Sequence, residues 1–279
     1  MERREIRVGD GVFDALVDGP ADGDLVLLLH GFPESAAEWH AVLPQLAAAG
    51  YFAVAPNQRG YSPGARPVGV DAYHVTHLTE DVLGIAEALG SQAFHLIGHD
   101  WGALVAWHAA AHHADHVRTL TIVSVPHPRP FADARASDPD QRERSGYIIG
   151  FREADAPERM FLDEDAAILR RAVAEAGPDI AAEHVRVLTD PGAMTAALNY
   201  YRAWDDALDR LGPVSTPTLF VWSTADVALG RVAAEATKDW VTGPYRFEVL
   251  EGLSHWIPEV APDEFARFAL EHMESHPEA

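Results

Sequence analysis

An aspartate framed by glycines, Gly98-His99-Asp100-Trp101-Gly102, carries the most chemical information in this 279-residue chain. It stands between an apolar run, Ala93 to Ile97, and an alanine-rich helical stretch, Ala103 to Ala111. Gly-x-X-x-Gly at a strand-to-helix junction is the spacing of a nucleophile elbow. Its glycines permit a tight turn that lifts the middle side chain above the sheet edge. The nature of that side chain sets the chemistry. A serine would attack acyl carbon. A carboxylate attacking acyl carbon would give a reactive anhydride, whereas at an sp³ carbon it gives an ordinary ester that water can later cleave. The pattern points to displacement at an alkyl carbon bearing an epoxide oxygen or a halide. The competing reading of Asp100 is a helix cap, the usual task of an aspartate in a turn.

Two further motifs complete a constellation. His30-Gly31-Phe32-Pro33-Glu34 follows one apolar run, and Glu251-Gly252-Leu253-Ser254-His255-Trp256 follows another. Asp226 lies after a third, in Ser223-Thr224-Ala225-Asp226. Nucleophile, acid and histidine in that chain order match the α/β-hydrolase arrangement. Asp100 would attack, and His255 would act as base on a water, because an ionised carboxylate has no proton to lose. Asp226 would orient the imidazole, although it could instead cap the next helix. The end of the strand at Val117 reads Ser124-Val125-Pro126-His127 and offers no competing carboxylate. Backbone amides of Phe32 and Trp101 would stabilise the oxyanion formed during ester hydrolysis. His30, Pro33 and Leu198 are expected at the substrate pocket.

These residues need a scaffold, and the alternation of segments supplies one. Ile6 to Leu16 reads as an edge hairpin. Leu25–His30, Tyr51–Pro56, Ala93–Ile97, Val117–Val125, Thr216–Trp222 and Tyr245–Leu250 read as strands. Helical spacing runs through Ser35–Ala49, Leu78–Leu89, Val232–Trp240 and Pro262–His272. Such alternation predicts an α/β fold with a mostly parallel, doubly wound sheet, whose ligands gather at the carboxyl ends of the strands. From Tyr147 to Leu211 the periodicity is helical only, which predicts an inserted helical lid. The expected boundaries are 1–126 and 213–279 for the core and 127–212 for the lid.

Composition narrows the rest. The net charge is 21 − 43 = −22, which disfavours nucleic acid and anionic membranes as partners. There are no cysteines, so thiolate chemistry and disulfides are excluded. No apolar run reaches the roughly 18 residues a membrane span needs. The N-terminus shows no secretory pattern, and a cytoplasmic protein is expected. His112, His113 and His116 lack ligand spacing, so neither metal nor cofactor is expected. A monomer or homodimer is expected.

Taken together, His30-Gly31-Phe32-Pro33-Glu34, Gln58-Arg59-Gly60-Tyr61-Ser62, the Asp100 elbow and Ser254-His255-Trp256 resemble the epoxide hydrolase and haloalkane dehalogenase branch of the α/β-hydrolase superfamily. The resemblance implies a cis bond before Pro33 and the Phe32 amide in the oxyanion hole. Asn57, where the family pattern has aspartate, departs from it at a position expected to be structural. Epoxide hydrolases use two lid tyrosines to protonate the opening oxygen. Met194, Ala197, Leu198 and Tyr201 share one helix face, with Tyr200 turned away, and Leu198-Asn199-Tyr200-Tyr201-Arg202 resembles the second-tyrosine motif. Tyr147 resembles the first. Dehalogenases of this branch typically carry asparagine where this chain has Phe32. The expected substrate is therefore a small lipophilic epoxide, with water as co-substrate. A haloalkane dehalogenase is the alternative, and a non-catalytic ligand-binding member of the fold is a remote one.

Overall fold

The computed structural model describes residues 1–276. Eight strands form one sheet: β1 (Glu2–Val8), β2 (Gly11–Asp18), β3 (Leu25–Leu29), β4 (Phe52–Pro56), β5 (Phe94–His99), β6 (Val117–Val123), β7 (Thr218–Ser223) and β8 (Tyr245–Leu250). Their spatial order is β1-β2-β4-β3-β5-β6-β7-β8. β1 and β2 form the antiparallel edge hairpin, β2 runs antiparallel to β4, and all later pairings are parallel. The expected doubly wound sheet is present.

The central strands are apolar throughout because both faces are covered. In β3, Leu27 and Leu29 join one core with helices Val75–Ala88 and Trp101–His112. Val26 and Leu28 face the other, beside helices Leu43–Ala48 and Pro262–Glu274. The pleat alternates side chains between faces, so one short run feeds two cores.

Every element between β6 and β7 is helical, from Pro128–Ser137 to Asp206–Asp209. One local expectation fails. Ser35–Ala49 is not a continuous helix but a 3-10 turn, Ala36–Trp39, followed by Leu43–Ala48 with Pro44 in its first turn. Proline suits that place because its missing N–H is an orphan there, and it cannot sit deeper in a helix. Helix Ala156–Ala172 is likewise broken by a left-handed turn, Glu164-Asp165-Ala166, at φ of 53 to 57°. Among the described residues, no helix is long and apolar enough to cross a membrane.

Candidate active site

Asp100 occupies a backbone conformation that side chains rarely adopt, φ 48° and ψ −117°, between β5 and helix Trp101–His112. The turn is forced by close packing: a Cβ on Gly102 would sit 2.1 Å from the Leu29 carbonyl oxygen. Although Asp100 stands at the N-cap position, its side chain makes no capping bond. Its Oδ1 instead accepts the Phe32 amide at 2.9 Å, and its Oδ2 lies 3.6 Å from His255 Nε2. Gly31 permits this approach, since a Cβ there would meet Asp100 Cβ at 2.5 Å. Trp101 is the first residue of its helix, so its amide has no acceptor one turn earlier.

Beyond the histidine the relay continues. His255 Nδ1 lies 2.7 Å from Asp226 Oδ2. The other Asp226 oxygen accepts the amides of Ala228 and Leu229, at 2.7 and 2.9 Å. Asp226 thus closes its own turn and faces the imidazole at once. Burial by itself would raise the Asp100 carboxyl, but His255, His99 and the Phe32 amide hold it below the ordinary range. His255 shows the reciprocal effect: burial opposes its charge, yet Asp226 and Asp100 raise it to about 9.

Two tyrosines from the helical insert approach the same point. Tyr201 is buried, with its ring edge-on to Trp101 at 5.0 Å and to Phe32 at 5.5 Å. The Tyr147 ring centroid lies 6.3 Å from that of Tyr201. Tyr147 is 37% exposed, but burial of its hydroxyl, with Asp100 and Asp226 nearby, pushes its pKa up. Tyr201 is raised well above its ordinary value by burial, Tyr147 and Asp100. Both therefore remain protonated donors at neutral pH. Phe151 and Phe161 pack edge-on against Phe32, at 5.6 and 5.3 Å, which makes the surroundings aromatic.

Other expected residues take different places. His30 is fully buried, with Nδ1 on the Gly31 carbonyl and Nε2 accepting the Gln58 amide. Burial lowers its pKa to about 3, so a neutral His30 braces the loop after β3. Leu198 is also fully buried, within the core. Pro33 follows a cis bond from Phe32, and Asn57 accepts the Ala36 amide at 2.9 Å, a structural task. Tyr200 is not turned away from the core: its hydroxyl donates to the Arg59 carbonyl at 2.9 Å. Helix Ala193–Ala203 is buried on more than one face, so its apolar stripe understates its contacts. A groove of about 460 Å³ lies away from this chemistry, beside Arg3, Asp14 and Arg186.

Sequence reasoning missed a buried ionic cluster behind the triad. His99 Nδ1 lies 3.1 Å from Glu34 and 3.0 Å from Glu38, while His184 Nε2 lies 2.8 Å from Glu259. Burial and Glu38 raise Glu34 to about 8, and burial and Glu34 raise Glu259 to about 7. The only sequence signal was a pair of glutamates four residues apart in an otherwise apolar stretch.

Residues 24–156 match the family model described as the alpha/beta hydrolase fold. The chain is 31% identical to an AB hydrolase superfamily protein of Bacillus subtilis, over 92% of each chain. It is 32% identical to epoxide hydrolase A of Mycobacterium tuberculosis, covering 91% of this chain and 92% of that one. The crystal structure of epoxide hydrolase A from Mycobacterium thermoresistibile superposes with a TM-score of 0.82, at 28% identity over 98% of both chains. An elbow nucleophile, a histidine and an acid at the strand ends of such a sheet define an α/β-hydrolase. This chain belongs to the epoxide hydrolase family within that superfamily.

Proposed function

We propose that the protein hydrolyses a lipophilic epoxide to a vicinal diol through a covalent ester on Asp100. The observation that carries this reading is a carboxylate at the elbow, kept ionised, with two protonated tyrosines converging on it. An Asp100 oxygen attacks one epoxide carbon as the C–O bond breaks. The departing oxygen takes a proton from Tyr147 or Tyr201, because an alkoxide is too basic to leave bare. His255 then removes a proton from water, and the resulting hydroxide adds to the ester carbonyl. Its oxyanion is held by the Phe32 and Trp101 amides. Collapse expels the second diol oxygen, which takes the proton of the new carboxyl group and so restores the carboxylate. The tyrosinate left by ring opening regains its proton from the His255 imidazolium. Asp226 steadies the imidazolium in between. The helices of residues 127–212 act as the lid, and Phe32, Phe151 and Phe161 favour an aromatic or otherwise apolar substrate.

Incubating His255→Gln with styrene oxide and measuring intact mass tests this directly. The expected result is an adduct of one substrate mass on Asp100, formed without turnover. Replacing both Tyr147 and Tyr201 with Phe should slow adduct formation more than a hundredfold, since a positioned acid contributes roughly 10²–10⁴-fold. If haloalkanes alkylate Asp100 faster than any epoxide, and the double Phe variant keeps that rate, the displacement is of halide.

A further inference from the structure

The loop that carries Asp226 is held from the helical insert. Asp226 Oδ1 accepts the amides of Ala228 and Leu229, which closes the loop on itself. The other main-chain groups of the turn need partners elsewhere, because a buried N–H or C=O left unpaired is costly. Gln141, fully buried in the short insert helix Pro139–Arg144, answers two of them. Its Oε1 accepts the Gly230 amide at 2.7 Å, and its Nε2 donates to the Ala228 carbonyl at 2.8 Å. Only one orientation of the side-chain amide satisfies both, since an N–H needs an acceptor and a carbonyl needs a donor. Arg144 Nη1 donates to the carbonyl of Asp226 itself. From the core side, Trp222 Nε1 donates to the Leu229 carbonyl at 3.3 Å.

The same glutamine reaches toward the first tyrosine. Its Nε2 also donates to Ser145 Oγ at 2.9 Å, and its carbonyl accepts the Ser145 amide at 2.9 Å. Two residues further on, Tyr147 starts the next helix. One buried side-chain amide thus ties the loop of the acid to the stretch that presents a tyrosine. Val227, inside that loop, is 71% exposed, so its side chain does little to pin the turn.

We propose that Gln141 is a positioning residue for ester hydrolysis: it fixes the loop that aims Asp226 at His255, so the insert completes the relay as well as covering it. This rests on the reading of Asp226 and His255 as acid and base. The contact at stake is the 2.7 Å approach of Asp226 Oδ2 to His255 Nδ1, a charge-assisted bond whose strength depends on its short length. The charged groups facing His255 are Asp226, Asp100 and His99. Those facing Asp226 are His255 and Arg144, with the Tyr147 hydroxyl nearby. Ring opening needs an ionised Asp100 and a proton donor, and Asp226 takes no part in it. The hold of Gln141 should therefore matter when the ester is hydrolysed and not when it forms.

The test is rapid mixing of the full chain with styrene oxide, following adduct formation and decay by quenched mass measurement across pH. Gln141→Met keeps the volume and removes all three side-chain hydrogen bonds. Formation should change less than about threefold, because Tyr201 stands on a separate helix. Decay should slow by roughly 10–100-fold, the scale of a misplacement of about 1 Å at a reacting group. The midpoint of decay should also move down by roughly 0.5–1 pH unit, a fraction of what a close opposite charge contributes, because Asp226 no longer favours the imidazolium as strongly. Equal losses in formation and decay would mean that Gln141 is merely structural. Unslowed decay, or a midpoint that stays in place, would overturn the proposal. If Gln141→Met does not fold, Gln141→Asn decides, since a shorter amide cannot span both ends of the loop; the same split and the same shift are required of it. Asp226→Asn, run in parallel, should nearly stop decay. If it decays like the parent, the reading of Asp226 fails first; if it stalls while Gln141→Met does not, only the role of Gln141 fails.

Discussion

At the scale of single residues, the site is a problem in distributing charge. Asp100 and Asp226 both push His255 toward its charged form, to about 9, and a charged imidazole is no base. In the proposed mechanism, alkylation of Asp100 would resolve this, because an ester carries no charge and leaves Asp226 alone to hold the proton. Asp100→Asn imitates the esterified state. It should lower the His255 pKa well below 9, which a ¹⁵N titration would read; an unchanged value would mean Asp100 contributes nothing. The folded pKa of His255 stands above its ordinary 6.5. Its contribution to stability is therefore complete below about pH 6.5 and fades as pH climbs through 9. Asp100, Asp226 and His255 were singled out in the chain by strand ends and Tyr201 by helix periodicity, whereas Tyr147 came from the family resemblance alone. His99, Glu38, His184 and Glu259 were not. Their pairing is made by tertiary contact alone, and polar residues in such stretches read as solvent-facing.

At the scale of elements, the elbow trades stability for exposure of one side chain. β3, β5 and β7 could be read from continuous apolar runs, since a doubly covered sheet demands them. The break after Trp39 was signalled only by Pro44, which suits the first turn of a helix and not its interior, and the apolar spacing on either side masked it. At position 100 the strain can be isolated by comparing two variants that both lack the carboxylate. Alanine keeps the penalty of φ 48°, whereas glycine escapes it. Asp100→Gly should be more stable than Asp100→Ala by about 1 kcal/mol, and both should be inactive. Urea melts of the pair measure the difference; equal midpoints would place the strain elsewhere.

At the scale of the molecule, the net charge of −22 makes the surface negative on balance. Exposed charges are screened within about 10 Å at 0.1 M salt, so the effect should appear mainly at low ionic strength. An epoxide bearing a carboxylate should show a kcat/KM that rises with added salt, while a neutral analogue of the same shape should not. A matching salt dependence for both would show that the surface field does not reach the site.

Asp100, the proposed nucleophile, is only 9% exposed, and Phe32, Trp101 and Tyr201, which surround it, are buried as well. Each turnover must therefore contain an opening event besides its bond changes. The diol product carries two hydroxyls into aromatic surroundings that suited the drier epoxide, and it leaves by the same route. Such motions commonly run on microsecond to millisecond timescales and set the pace of many enzymes. The clock of this one should then be friction: kcat for a fast epoxide should fall as glycerol thickens the medium, while formation of the Asp100 adduct after binding should not. A kcat indifferent to viscosity would return the slow step to ester hydrolysis, and make the closed architecture a matter of excluding bulk water alone.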